Sequence, residues 1–132
     1  MTPEEVLAEA RTLASRGVGE LGGTASRAAA LLGRSALEDA IWDLFPQLKE
    51  VSGRAMHLTL PFVFDRQVAR QAALVWGRLS AASHHHIYEM PPTAVELERM
   101  LDTVHDVIDA VRDRQERRRE KRSAGVTRAS GR

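Results

Sequence analysis

The sequence predicts an all-α fold: an antiparallel up-down four-helix bundle with an extra N-terminal helix and a basic C-terminal tail. Three observations predict it. Ala, Leu, Arg and Glu dominate the chain, and β-branched runs are absent. Apolar residues recur at steps of three and four in separate blocks. Short connections rich in Gly or Pro divide the blocks, and short connections favour antiparallel neighbours.

A first helix is expected over about residues 3–16. Thr2 is its N-cap, and Pro3 takes the first helical position, where a missing N–H does no harm. "GVGELGG" (17–23) breaks it. Thr24 is expected to cap a longer helix reaching about Phe45. Its inward stripe is Ala30, Gly33, Leu37, Ala40 and Leu44, with Leu32, Ala36 and Ile41 beside it. Pro46 stops that helix, and "PQLKEVSG" is a connection with room for one helical turn.

"RAMHLTLPFVF" (54–64) alternates Met56, Leu58, Leu60, Phe62 and Phe64, as a strand would. A lone strand in a helical chain has no partner, and Pro61 argues against a ladder. The preferred reading is a short helix entering a turn near Pro61. Asp65 can cap the next helix, over about 65–83, with the stripe Val68, Ala72, Val75, Leu79 and Ala82. Thr93 and Glu96 form a capping box for the last long helix. Its stripe is Leu97, Met100 or Leu101, Val104, Ile108 and Val111. There the apolar positions stop. Residues 1–111 are read as one helical domain, and residues 112–132 as a charged helix passing into a disordered tail.

A chain of 132 residues is one domain by length and can bury a core without staples. Without cysteine it has no disulfide, thiolate zinc site or cysteine nucleophile. "MTPEEVLAEA" is acidic and amphipathic, unlike a secretory signal, and no apolar run approaches the roughly 18 residues of a membrane span. The expectation is a soluble cytoplasmic protein that makes no use of the membrane. Net charge is +1, but residues 112–132 hold nine Arg/Lys against three Asp/Glu, a net of +6, and the rest carries −5. An acidic body with a basic tail points to an anionic partner, nucleic acid first.

"RLSAASHHHIYEMPPT" (78–93) holds the candidate chemistry. Arg78 sits beside the stripe residue Leu79. On a persisting helix His85, seven residues on, would be turned from Arg78 by only about 20°. His84 would share that face only if the helix ended and the chain turned. An always-charged guanidinium grips a phosphate through two nitrogens and offsets charge in the transition state. An imidazole titrates near neutrality, so it can take a proton from an RNA 2′-OH or give one to the leaving oxygen. Such a cleavage needs no metal or other cofactor.

This pattern resembles the HEPN family of all-helical nucleotide-binding and RNase domains, whose motif is Arg, four to six residues, then His. Arg78 and His84 enclose five residues, "LSAAS", and Arg78 and His85 enclose six. "RAAALLGRSALEDAIWDLF" is similar to the family's earlier helix, with "ALE" over an apolar stripe, and "HHHIYEMPPTAVEL" is similar to the segment after the motif in an actinobacterial subgroup. The resemblance covers about residues 24–111. It implies a homodimer with two motifs facing one cleft, RNA or a nucleotide as ligand, and a metal-independent endoribonuclease of toxin or defence type, often beside an antitoxin or other partner protein. Arg78, His84 and His85 would be catalytic. Ser83, Tyr88 and Glu89 would assist in substrate binding. Active members often carry Asn or Asp directly after the Arg, where this chain has Leu79.

Other readings stand beside this one. Arg78 can cover apolar surface with its stem and pair with an acid such as Glu89. The histidines can be helix-end residues favoured by the dipole. Three adjacent histidines diverge by about 100° each on a helix, so they chelate one ion poorly, even with His57 and His105 to complete a set. Trp42 and Trp76 read as core or interface residues. A non-catalytic dimeric module, binding nucleic acid or a partner protein, is the alternative, and Leu79 favours it. A purely structural bundle predicts an Arg78 buried in an ion pair with no open cleft.

Overall fold

The computed structural model describes residues 1–16, 22–84 and 92–130, and the described residues contain helices and no strands. The helices are α1 (Pro3–Arg16), α2 (Gly22–Leu44), α3 (Gly53–Thr59), α4 (Arg66–Ser83) and α5 (Ala94–Ser130). Tight 3-10 turns at Pro46–Glu50 and Leu60–Phe62 flank α3. None of these helices is long and apolar enough to cross a membrane.

The helix starts follow local chemistry. Thr2 and Glu5 exchange backbone and side-chain hydrogen bonds, each 3.1 Å, around the N-terminus of α1. Thr93 and Glu96 do the same for α5, at 3.4 and 3.1 Å. Asp65 accepts from the Val68 N–H at 2.9 Å and caps α4. Ser52 caps α3 by accepting from the Ala55 N–H. The apolar alternation at 54–64 thus belongs to a short helix and a 3-10 turn at Pro61. Thr24 is not the cap of α2, which already runs from Gly22.

The core lies between the four long helices. α2 packs against α1, α4 and α5, and α5 packs against α1, α2 and α4. Two ion pairs fix the pairing of α1 with α5, Arg112 with Glu4 at 2.7 Å and Arg11 with Asp102 at 2.9 Å, and show that these helices run in opposite directions. Leu37, Ile41, Leu79, Leu97, Leu101, Val104 and Ile108 are fully enclosed. Leu101, rather than Met100, takes the inward place, and Ala69 is buried where Val68 is half-buried.

Gly33 lets the helices approach. A Cβ there would stand 2.7 Å from Leu101 Cδ2 and 3.5 Å from Leu79 Cδ2. α2 therefore comes close to both α4 and α5 at this level, and no larger residue fits without repacking.

α5 continues through residues 112–130 as helix, beyond its apolar stripe, where the sequence suggested a charged helix passing into a disordered tail. Arg112 ties it down, donating to Glu4, Asp43 and Gln115. One turn and a half further on, Arg118 donates to the Leu44 carbonyl at 3.3 Å and lies over the Phe45 ring. That carbonyl is among the orphan acceptors at the end of α2, so the guanidinium also acts as a C-terminal partner for it.

Candidate functional site

Arg78 stands on the penultimate turn of α4, exposed, on the side away from α2. It lines an open depression of about 400 Å³ between α4 and α5. Gln71, Leu74 and Val75 share the α4 wall, and Glu96, Arg99, Met100 and Thr103 form the α5 wall. No ion pair engages Arg78 or Arg99 among the described residues. Two guanidinium groups thus share one solvent-open recess with the Glu96 carboxylate, leaving an excess of positive charge suited to a phosphate.

α4 ends at Ser83, whose hydroxyl turns back to donate to the Ser80 carbonyl at 2.9 Å. His84 is the C-cap. Its backbone is extended, with φ −76° and ψ 139°, and its side chain is exposed. No hydrogen bond or ion pair joins Arg78 to Ser83 or His84 among the described residues. The Cα of His84 is turned about 120° from that of Arg78 by helical register, so the two share an end of the helix and not a face. His85, Tyr88 and Glu89 lie outside the described residues.

Leu79 has a plain structural role. It is fully buried, and its methyl groups pack against Gly33. A polar side chain at this position would enter the core, not the recess.

The opposite flank of α4 carries a second polar cluster, and it is closed. Arg34 Nε stands 3.5 Å from Glu38 Oε1 on α2, and Arg34 Nη1 donates to Ser80 Oγ at 3.5 Å. Burial pushes the Glu38 carboxyl above its ordinary range, while Arg34, and Trp76 by hydrogen bonding, pull it back. The Trp76 indole N–H nevertheless closes no hydrogen bond of good geometry. Its ring lies 5.0 Å from His57, over Gly53, where a Cβ would collide with the indole.

His57 is 8% exposed, and neither ring nitrogen has a partner. Desolvation lowers its pKa to about 4, so the ring is neutral at physiological pH. His105 sits on α5, 3.2 Å from Asp109. His57 and His105 therefore belong to different surroundings, and among the described residues no three His, Asp or Glu side chains gather as a metal site.

Arg99, Arg34 and Glu38 were missing from the sequence-based site. The Arg34–Glu38 step of four residues was a visible helical pair. Arg99 had no signal, because only the antiparallel pairing of α4 with α5 brings it to Arg78.

In comparisons with known proteins, no family model matches this chain, and no curated protein and no solved structure matches it.

Proposed function

We propose that this chain is a HEPN-like RNA-binding protein, built as an antiparallel up-down four-helix bundle, that cleaves RNA without a metal. One observation carries the reading: Arg78 is exposed, without an ion pair among the described residues, in an open recess it shares with Arg99. A buried, paired Arg78 would have favoured a structural bundle instead.

In this reading Arg78 holds the scissile phosphate and offsets its developing charge. One imidazole of the His84/His85 pair takes the proton of the 2′-OH. The 2′-oxygen then bonds to phosphorus, and the bond from phosphorus to the 5′-oxygen breaks. A second, protonated imidazole gives the leaving oxygen its proton. The products are a 2′,3′-cyclic phosphate and a 5′-hydroxyl end. A homodimer would bring two such motifs to one cleft, and a partner protein of antitoxin type would hold the activity in check.

The second reading is a non-catalytic dimeric module that binds nucleic acid or a partner protein. The buried Leu79 and the 120° register between Arg78 and His84 favour it.

Cleavage of mixed cellular RNA in EDTA separates the two. The wild-type chain is expected to cut and leave cyclic phosphate ends. Arg78→Ala and the His84→Ala/His85→Ala double variant are expected to fold and lose at least about two orders of magnitude in rate. RNA binding by a silent wild type would transfer the assignment to the non-catalytic module.

A further inference from the structure

Among the described residues the recess at Arg78 has a counterpart depression between α4 and α5. The second lies at the other end of α4. It has a volume of about 450 Å³ and is lined by Phe62, Val63, Asp65, Val68, Arg114 and Arg117, among others. Phe62 is 86% exposed, the most exposed large apolar residue among the described ones. Such a ring in water forgoes the stabilisation that burial would give, and aromatic rings placed this way beside cations accept nucleobases.

The cations beside it are free. Arg114 and Arg117 form no ion pair among the described residues, in contrast to Arg112 and Arg119 on the same helix. Helical register puts Arg114, Arg117 and Lys121 within about 60° of one another, on the face that carries Arg99 and Thr103 further back. Glu116 and Glu120 fall about 120–160° from Arg114, whereas Asp113 lines the depression about 40° from Arg117, and the exposed Asp106 lies on the cationic face between the two depressions. Of the carboxylates at the two depressions, Asp65 and Glu96 already accept helix-cap hydrogen bonds. Asp113 is the remaining one.

The two depressions lie along the same pair of helices and have no lining residue in common. On α4 the exposed residues Gln71, Leu74 and Arg78 follow one another along one face, and Leu74 is 58% exposed. From Arg114 back to Arg99 is about 22 Å along α5, the reach of a few nucleotides. The seam thus offers an aromatic ring and cations at one end, an apolar shelf between, and two cations at the other.

We propose that the α4/α5 seam is a track for single-stranded RNA, with a base stacked on Phe62 and phosphates held by Arg114 and Arg117, leading the strand to Arg78 and Arg99. A duplex keeps its bases stacked inside and cannot use a lone exposed ring. The choice of RNA over other single strands rests on the Arg78 reading; the charge and the exposed ring do not.

The test is fluorescence anisotropy of the full chain with a labelled 2′-O-methyl oligouridine, which a 2′-OH-driven reaction cannot cut, at two salt concentrations. The wild type is expected to bind more tightly at low salt. Phe62→Ala is expected to weaken binding about ten-fold and to leave the salt dependence unchanged, and Phe62→Trp to retain affinity. Arg114→Gln/Arg117→Gln is expected to weaken binding and to reduce the log–log salt slope by about 1.4. Phe62 and Arg117 are exposed and Arg114 is half-buried, and an unchanged melting temperature confirms that folding is intact.

No binding by the wild type overturns the proposal. So does binding indifferent to Phe62 and the two arginines, equal binding of duplex RNA or oligodeoxythymidine, or equal competition by polyglutamate, which would assign the seam to an acidic protein. If the probe binds as expected while cellular RNA stays uncut, the cleavage reading fails and the track stands. If RNA is cut in an Arg78-dependent way while the Phe62 and arginine variants bind and cut normally, the track alone fails.

Discussion

The two flanks of α4 carry similar side chains under opposite conditions. Towards α2 and α3, Trp76 and Ser80 meet Arg34, Glu38 and His57 in a closed cluster. There burial, not catalysis, shifts the titrations: up for Glu38, down for His57. Towards α5, Arg78 faces Arg99 across an open recess. Perturbed titration alone would have pointed to the closed flank, since displaced pKa values often mark functional sites. Access and unpaired charge point to the open one. A shifted group without a route for substrate is a packing feature, whereas two exposed guanidinium groups in one recess remain accessible to an anion.

The contrast is sharpest at adjacent residues. Leu79→Ala removes a fully buried side chain at the meeting of α2, α4 and α5 and is expected to cost about 2–5 kcal/mol in urea unfolding. A loss under about 1 kcal/mol would mean that the helices do not close over this level as described.

The closed cluster should show itself in acid. His57 is neutral when folded, with a pKa of about 4 against 6.5 for the free side chain. The unfolded chain therefore takes up a proton first as pH falls. Stability from this group is full above about pH 6.5 and declines by about 2–3 kcal/mol on the way to pH 4. Glu38 opposes this, since its raised pKa favours the folded state as the carboxyl protonates. The quantity to follow is thus the difference between wild type and His57→Phe. The variant should lack the decline, and parallel profiles would show that His57 is solvated.

The smallest effect is expected on the open side. Arg78→Ala should change stability by no more than about 0.5 kcal/mol, because its guanidinium has no ion-pair partner among the described residues. A thermal scan showing a markedly larger loss would place Arg78 with the packing residues and remove its value as a binding group.

Much of the fold was legible because it is local. Thr2, Asp65 and Thr93 cap their helices through atoms three residues away, and the stripes of α2, α4 and α5 follow from turn geometry. The difference at Thr24 is not local: Gly22 and Gly23 are poor helix formers, and packing of the following turn, where Ala25 and Ser26 are buried, outweighs propensity. The charged helix after Arg112 was expected, but how far it runs was hidden because apolar periodicity had ended. Its anchors, Glu4, Asp43, Leu44 and Phe45, are distant in sequence.

The candidate site was legible only at Arg78 and at the end of α4. The spacing of Arg78 to His84 describes a position along the chain and leaves the direction of the imidazole to the residues that stop the helix. α4 stops at Ser83, and the position of His84 about 120° from Arg78 follows from where that stop falls.

By itself the sequence determined that the chain is helical, where most helices begin, and which face of each is apolar, because these depend on neighbours within about four residues. It also determined the segregation of charge, which is a matter of composition. Only the tertiary structure decided that Leu79 is core while Arg78 is open, that Arg99 stands across from Arg78, that His57 is buried without partners, and that Phe62 remains in water beside Arg114 and Arg117. The reason is physical: exposure, desolvation and the meeting of like charges are set by which helix packs against which.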